Sequence, residues 1–243
     1  WSEAVRIALL YDDISSRPNA TEDELSILES LDAVDDAICD LGHTPIWVPV
    51  PARVDSWIEL LSHSRIDLVF NLYEGIGGDS ANEVRVAGIA ELLHLPMTGC
   101  AAEALGLMRR KDRVNALLRG AGLPVPDWAT ITRADRKIYW DKFPAIVKPA
   151  AEDASIGITQ NSVAKNRREL TKAIDAAQNF DRLIVQHFVT GREFNVGIVG
   201  QTVLPVNEID FSQMPAGRWP MLSYEAKWRV GSPEDVGGQP QCP

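Results

Sequence analysis

Phe143-Pro144-Ala145-Ile146-Val147-Lys148-Pro149, followed within a few positions by Ala154-Ser155-Ile156-Gly157, is the stretch on which the reading of this chain turns. A short β-rich apolar run ends on a lysine, and Pro149 denies the chain a further donor there. Strand alternation puts Ile146 and Lys148 on one sheet face. The ammonium must therefore find an anion or leave the core. The small-residue turn that follows carries backbone N–H groups able to close over phosphate oxygens. Taken singly, a lysine is most often a solvated charge, and a Ser-x-Gly turn carries less weight still. The surroundings have to decide.

Toward the amino end, strands and helices alternate. Val5 to Tyr11 reads as a strand. Thr21 then opens a capping box with Glu24, and Leu25, Leu28, Leu31, Val34, Ile38 and Leu41 follow at helical spacing. Ile46 to Val50 and Leu68 to Leu72 read as further strands, and Val54 to Leu61 and Asn82 to Leu93 as helices. Such alternation predicts a parallel sheet with helices on both faces. Ligands gather where strand carboxyl ends release loops. The loop after the third strand, Tyr73-Glu74-Gly75-Ile76-Gly77-Gly78-Asp79-Ser80, is glycine-rich and carries two carboxylates, although a plain turn reads equally well. No Gly-x-Gly-x-x-Gly follows the first strand; Tyr11-Asp12-Asp13 stands there, which weakens a nicotinamide-linked oxidoreductase reading.

Toward the carboxyl end the order changes after Gly120-Ala121-Gly122-Leu123-Pro124-Val125-Pro126. Lys137 reads as part of a surface helix. Ala145 to Lys148 is a strand, Arg167 to Ala177 a helix and Leu183 to Phe188 a strand. Phe194 to Val199 and Val203 to Ile209 form a hairpin about Gly200-Gln201. The fold class expected is α/β followed by α+β, and Asp210 to Tyr224 reads as a long, functional surface loop.

The 243 residues are 45% hydrophobic and 24% charged, with a formal charge of −10. That balance argues against nucleic acid as a partner but leaves small anions open, since these need only a local cluster of donors. Cys39, Cys100 and Cys242 make neither a disulfide framework nor a metal-ligand spacing, so a cytoplasmic setting is expected. No apolar run approaches the ~18 residues of a membrane span. Three lysines from separate segments, Lys111 between two helices, Lys148, and Lys227 after the long loop, would supply the charge a triphosphate needs. Glu193, at the start of a strand, could accept both hydroxyls of a ribose; paired with Arg192 it would be only a surface carboxylate. Gln186-His187-Phe188-Val189 could link two subdomains and offer main-chain groups to an adenine edge.

The order of the segments changes the odds. Pro96-Met97-Thr98-Gly99, Arg110-Lys111-Asp112, Gly122-Leu123-Pro124-Val125-Pro126, Phe143 to Pro149, Ser155-Ile156-Gly157, Gly191-Arg192-Glu193-Phe194 and Tyr224-Glu225-Ala226-Lys227 resemble, in this order, the D-alanine–D-alanine ligase family of the ATP-grasp superfamily. The resemblance runs through nearly the whole chain and is specific for fold and nucleotide, much less so for substrate. It implies a pre-ATP-grasp α/β domain over residues 1–98, a central ATP-grasp subdomain over 99–186 and the start of a C-terminal subdomain over 187–243. It implies ATP as cofactor, held by Lys111, Lys148, Ser155, Gln186, His187, Val189, Glu193 and Lys227, with catalytic roles for Lys227, Ser155 and Glu74. The implied chemistry is carboxylate–amine ligation through an acyl phosphate, on amino acids or short peptides, in peptidoglycan or peptide biosynthesis. Charge neutralisation, positioning and exclusion of water carry such a step. A homodimer is an allowed assembly.

The departures narrow this. Asp153-Ala154-Ser155-Ile156-Gly157 stands where the family usually carries Gly-Ser-Ser-Val-Gly, and Trp228 where it carries a tyrosine. Both changes touch the first-substrate pocket, so a ligase acting on amino acids or peptides other than two D-alanines fits as well. Gln186 replaces a glutamate, and Phe70-Asn71-Leu72-Tyr73-Glu74-Gly75 is nearer to ligase-like relatives of unassigned substrate. The family's magnesium carboxylates are expected beyond Pro243, so no metal ligand is assigned and the chain as given is expected to be inactive. The start at Trp1 reads as an incomplete or processed amino end. The rival from another class is an inactive ATP-grasp nucleotide-binding or interaction module.

Overall fold

The computed structural model describes residues 3–14, 22–50, 55–75, 79–135 and 138–242. The Thr21–Glu24 capping box, Ile76 with the glycines at 77 and 78, and Lys137 fall outside those residues or their described side chains. The chain divides into two compact units, 1–109 and 110–243.

In the first unit β1 (Arg6–Asp12) lies between β2 (Thr44–Val50) and β3 (Leu68–Asn71), and both pairings are parallel. Between the strands run α1 (Glu22–Asp40) and α2 (Asp55–His63), and after them α3 (Ala81–Leu92) and α4 (Ala102–Met108). Alternation along β1 decides the layers. Ile7 and Leu9 pack with Ile27, Leu31 and Ile38 of α1, whereas Ala8 and Leu10 pack with Val48, Val50, Trp57, Leu61 and Val86. Pro96 and Thr98 exchange main-chain hydrogen bonds with Val69, extending the sheet beside β3. At the carboxyl end of β1, Oδ2 of the buried Asp12 accepts the N–H groups of Glu74 (2.8 Å) and Gly75 (3.1 Å). Asp12, the last residue of the first strand, thus shapes the loop after the third.

The second unit opens with α5 (Lys111–Gly120), so Lys111 starts a helix. Its main sheet contains β4 (Trp128–Thr132), β5 (Ala145–Pro149), β6 (Val163–Ala164) and β7 (Arg182–His187) in the order β4-β7-β5-β6, antiparallel throughout. The helix α6 (Arg167–Ala176) covers one face, where Leu170, Ala173 and Ile174 meet Ala145, Val147, Leu183 and Val185. Asn166 caps α6 by accepting from the Glu169 N–H at 3.1 Å. Ile146 faces the other way, toward Phe188 and Met221.

The predicted hairpin appears in broken form. β8 (Glu193–Asn195) pairs with β11 (Asn207–Asp210), while β9 (Ile198–Val199) and β10 (Thr202–Val203) close a separate two-stranded hairpin. A short α7 (Tyr224–Trp228) and α8 (Pro233–Gly237) precede β12 (Gln239–Gln241), which pairs with β11. The loop 211–223, within the stretch expected to be a long surface loop, does not lie wholly at the surface, because Met221 and Ser223 are buried.

Candidate active site

On the face of the antiparallel sheet opposite α6 lies a cavity of about 520 Å³. β5 brings Ile146 and Lys148 to it, β7 and its continuation bring Gln186, His187, Phe188 and Val189, and β8 brings Glu193. Ser155 and Ile158 come from the turn after β5, Pro220, Met221 and Leu222 from the loop 211–223, and Lys227 from α7. Lys148, Ser155, Gln186, His187, Val189, Glu193 and Lys227 of the sequence-read set therefore converge.

Lys111 and Glu74 are not among the lining residues. Lys111 Nζ donates to the Glu152 carbonyl. Glu74 belongs to the first unit, its N–H held by Asp12. Sequence reading missed Ile158 and the apolar wall from the loop, since nothing local marks Pro220, Met221 and Leu222 as facing inward.

Lys148 sets the electrostatics. Its Nζ donates to Gln186 Oε1 at 3.2 Å, a neutral partner. Burial pushes its pKa below the ordinary 10.5, the nearby Lys111 ammonium pushes it further, and Glu193 partly opposes both. Lys111 is lowered by burial as well, against Asp153 and Glu152. Lys148 thus brings a partly desolvated cation to the cavity, with a second, Lys111, close behind it, an arrangement that favours an anion. The unfolded chain binds more protons than the native one wherever pH lies between the lowered native pKa of Lys148 and 10.5. The contribution of this group to stability therefore rises with pH across that window.

The turn after β5 is held in an unusual shape. Ala154 (φ 45°) and Ser155 (φ 61°) both lie in the left-handed region, followed by Gly157 (φ 75°). The N–H groups of Ile156 and Ile158 are spent inside the turn, on Asp153 and Ser155 carbonyls. Side chains fix the rest: Ser155 Oγ donates to the Leu222 carbonyl (2.7 Å) and Trp228 Nε1 to the Ala154 carbonyl (2.9 Å). Trp228, unable to accept a hydrogen bond, instead donates one that ties α7 to the turn. Trp228→Phe should lower stability by about 1 kcal/mol, read by urea denaturation; an unchanged midpoint would remove this tie.

At the end of β7, the His187 N–H donates to the Asp127 carbonyl and the Phe188 N–H to the Pro144 carbonyl. Arg192 does not pair with Glu193. Its Nε donates to Glu208 Oε1 at 2.6 Å, with Nη2 on Oε2, and Glu193 is left to line the cavity. Among the described residues no group of three or more His, Cys, Asp or Glu side chains stands where it could hold a metal ion. No helix among the described residues is long and apolar enough to cross a membrane.

A family model described as the D-Ala–D-Ala ligase C-terminus matches residues 117–236, the span that builds this cavity. The D-alanine–D-alanine ligase of Aquifex aeolicus is 31% identical over 218 residues, covering 88% of this chain and 69% of the relative. That of Haemophilus ducreyi is 32% identical over 229 residues, covering 92% and 69%. The chain belongs to the D-alanine–D-alanine ligase family. Members of this family are ATP-dependent ligases that form C–N bonds, and the chain spans about two-thirds of the length of these relatives. The fold agrees. The D-alanine–D-alanine ligase of Bacillus anthracis complexed with ATP superposes with a TM-score of 0.62 at 19% identity, covering 85% of this chain and 66% of that one. VanG D-Ala:D-Ser ligase from Enterococcus faecalis gives 0.64 at 22%, covering 96% and 82%. The mixed α/β architecture is thus that of the ATP-grasp ligases.

Proposed function

We propose that the cavity in the second unit binds ATP and that the protein ligates a carboxylate to an amine of amino-acid or short-peptide substrates, in the manner of D-alanine–D-alanine ligase. The observation that carries this is the half-buried Lys148, which lines the cavity with Lys227, has the neutral Gln186 as its hydrogen-bond partner and has its pKa lowered by burial and by Lys111. Phosphate oxygens would restore the charge that burial disfavours on Lys148. Ser155 and its turn would lie against the same oxygens, and Glu193 would meet the ribose. Because the His187 and Phe188 N–H groups already serve other carbonyls, an adenine edge lying along this segment would be met beyond them, at Val189. ATP supplies the phosphoryl group that activates a carboxylate. The protein's share is to hold it, neutralise it and exclude water. Among the described residues the acidic side chains do not gather into a magnesium site. Central and C-terminal ATP-grasp subdomains meeting near residue 186, Glu74 as a substrate-side residue of the 1–98 domain, and a cytoplasmic setting complete the reading.

ATP binding should take up protons at alkaline pH, because phosphate raises the lowered pKa of Lys148 toward and above 10.5. Affinity should therefore fall as pH rises through the native pKa of Lys148. Calorimetric titrations in buffers of different ionisation enthalpy measure the uptake directly. Binding without proton uptake, or no binding at all, would overturn the assignment. Phosphate release that depends on added D-amino acids tests the ligase step.

A further inference from the structure

We propose that Glu234 is the latch that holds the loop 211–223 shut against the cavity, and that it positions Lys227 through the same contact. The role in closing over phosphates rests on the nucleotide reading above; the latch itself does not.

Glu234 lies on α8, outside the cavity lining, and is 1% exposed. A carboxylate so deeply buried must have donors, and among the described residues these come from the loop or the segment the loop closes upon. Oε1 accepts from Arg218 Nη1. Oε2 accepts from the Ser223 hydroxyl and, at 3.2 Å, from Gln160 Nε2. Gln160 in turn grips the loop's backbone: Trp219 N–H donates to its Oε1 at 2.6 Å, and its Nε2 donates to the Trp219 carbonyl at 3.2 Å. Ser223 is fully buried and caps α7 by accepting the Ala226 N–H at 3.1 Å. One carboxylate thus joins the loop, the turn after β5 and the helix that carries Lys227.

The residues between these anchors, Pro220, Met221 and Leu222, are a wall of the cavity. Lifting that wall would separate Glu234 from its one cation, Arg218, and from the Ser223 hydroxyl together, leaving Gln160 as its remaining donor. A partly opened state would hold a buried carboxylate short of donors, which is costly, so intermediate positions are disfavoured and the loop moves between two states. Arg218 is 40% exposed, so it can exchange Glu234 for water as the loop leaves. Glu234 touches neither cavity nor reacting atoms, and acts through the loop alone.

Hydrogen–deuterium exchange of the protein without nucleotide tests this. Glu234→Gln keeps the side chain's shape but sets an amide NH₂ against Arg218. Arg218→Gln removes the cation from the exposed side and leaves the buried carboxylate in place. In both variants, exchange within 211–223 should rise about tenfold or more while β7 and α6 keep their protection. Unchanged exchange in the loop would overturn the latch. So would a rise shared equally by α6 and β7, which would make Glu234 a general stabiliser. Adding ATP separates the two readings. If ATP slows loop exchange in the unmodified protein and does so only at higher concentration in Glu234→Gln, latch and nucleotide site are coupled as proposed. If both variants open the loop but ATP has no effect on the unmodified protein, the nucleotide assignment falls and the latch stands.

Discussion

Replacing Lys148 with Ala should weaken ATP binding by about 1.5–3 kcal/mol, roughly 10- to 150-fold, the usual loss for one charge-assisted hydrogen bond to an anion. Its hydrogen-bond partner without nucleotide is the neutral Gln186 amide, and burial together with Lys111 disfavours its charge. Removing it should therefore cost no folding stability. Binding and stability are expected to separate: weaker calorimetric affinity with an unchanged or higher melting temperature. Lys172→Ala, on the exposed side of α6, should change neither. Equal affinities for the two variants would defeat the phosphate role of Lys148. A parallel loss of stability in Lys148→Ala would mean that the ammonium is a structural group.

The second large effect concerns the turn beside Lys148. Gly157 has φ 75°, and a Cβ there would sit 2.7 Å from Cε2 and Cζ of Phe180 and 2.9 Å from Cγ of Pro149. Phe180 is half-buried against the core that α6 covers, which limits the room its ring has to move aside. Gly157→Ala should therefore cost about 1–2 kcal/mol for the left-handed backbone and about 1–3 kcal/mol more for overpacking. Gly122 supplies the control: φ is 76°, but nothing lies within 4 Å of its Cβ position. Gly122→Ala should show the backbone cost alone, about 1–2 kcal/mol by denaturant titration. Matching costs for the two variants would show that the packing around Gly157 yields freely.

Much of the architecture around the cavity was legible in local pattern. Two-residue alternation over Ala145–Lys148 separates Ala145 and Val147, which face α6, from Ile146 and Lys148, which face the cavity. Strand and helix alternation over the first hundred residues specified a parallel sheet covered on both sides. Local pattern failed where an element is short or its partners are remote. The strand Trp128–Thr132 is defined by pairing with Arg182–Gln186, and Lys111 looks like any helix-start lysine until its ammonium is seen on the Glu152 carbonyl.

What the sequence determined by itself is which residue types are available at which period: apolar faces, a lysine closing a strand, a glycine where the backbone must turn left-handed. These depend on neighbours a few positions away, and on steric rules that hold whatever the rest of the chain does. The tertiary structure alone decided which charges are buried together. Glu234 meets Gln160 across 74 positions and Ser223 across 11, and Lys148 meets Gln186 across 38. Desolvation depends on what covers a group in three dimensions. The lowered pKa of Lys148 and the closure of the loop by a buried carboxylate therefore belong to the packed molecule.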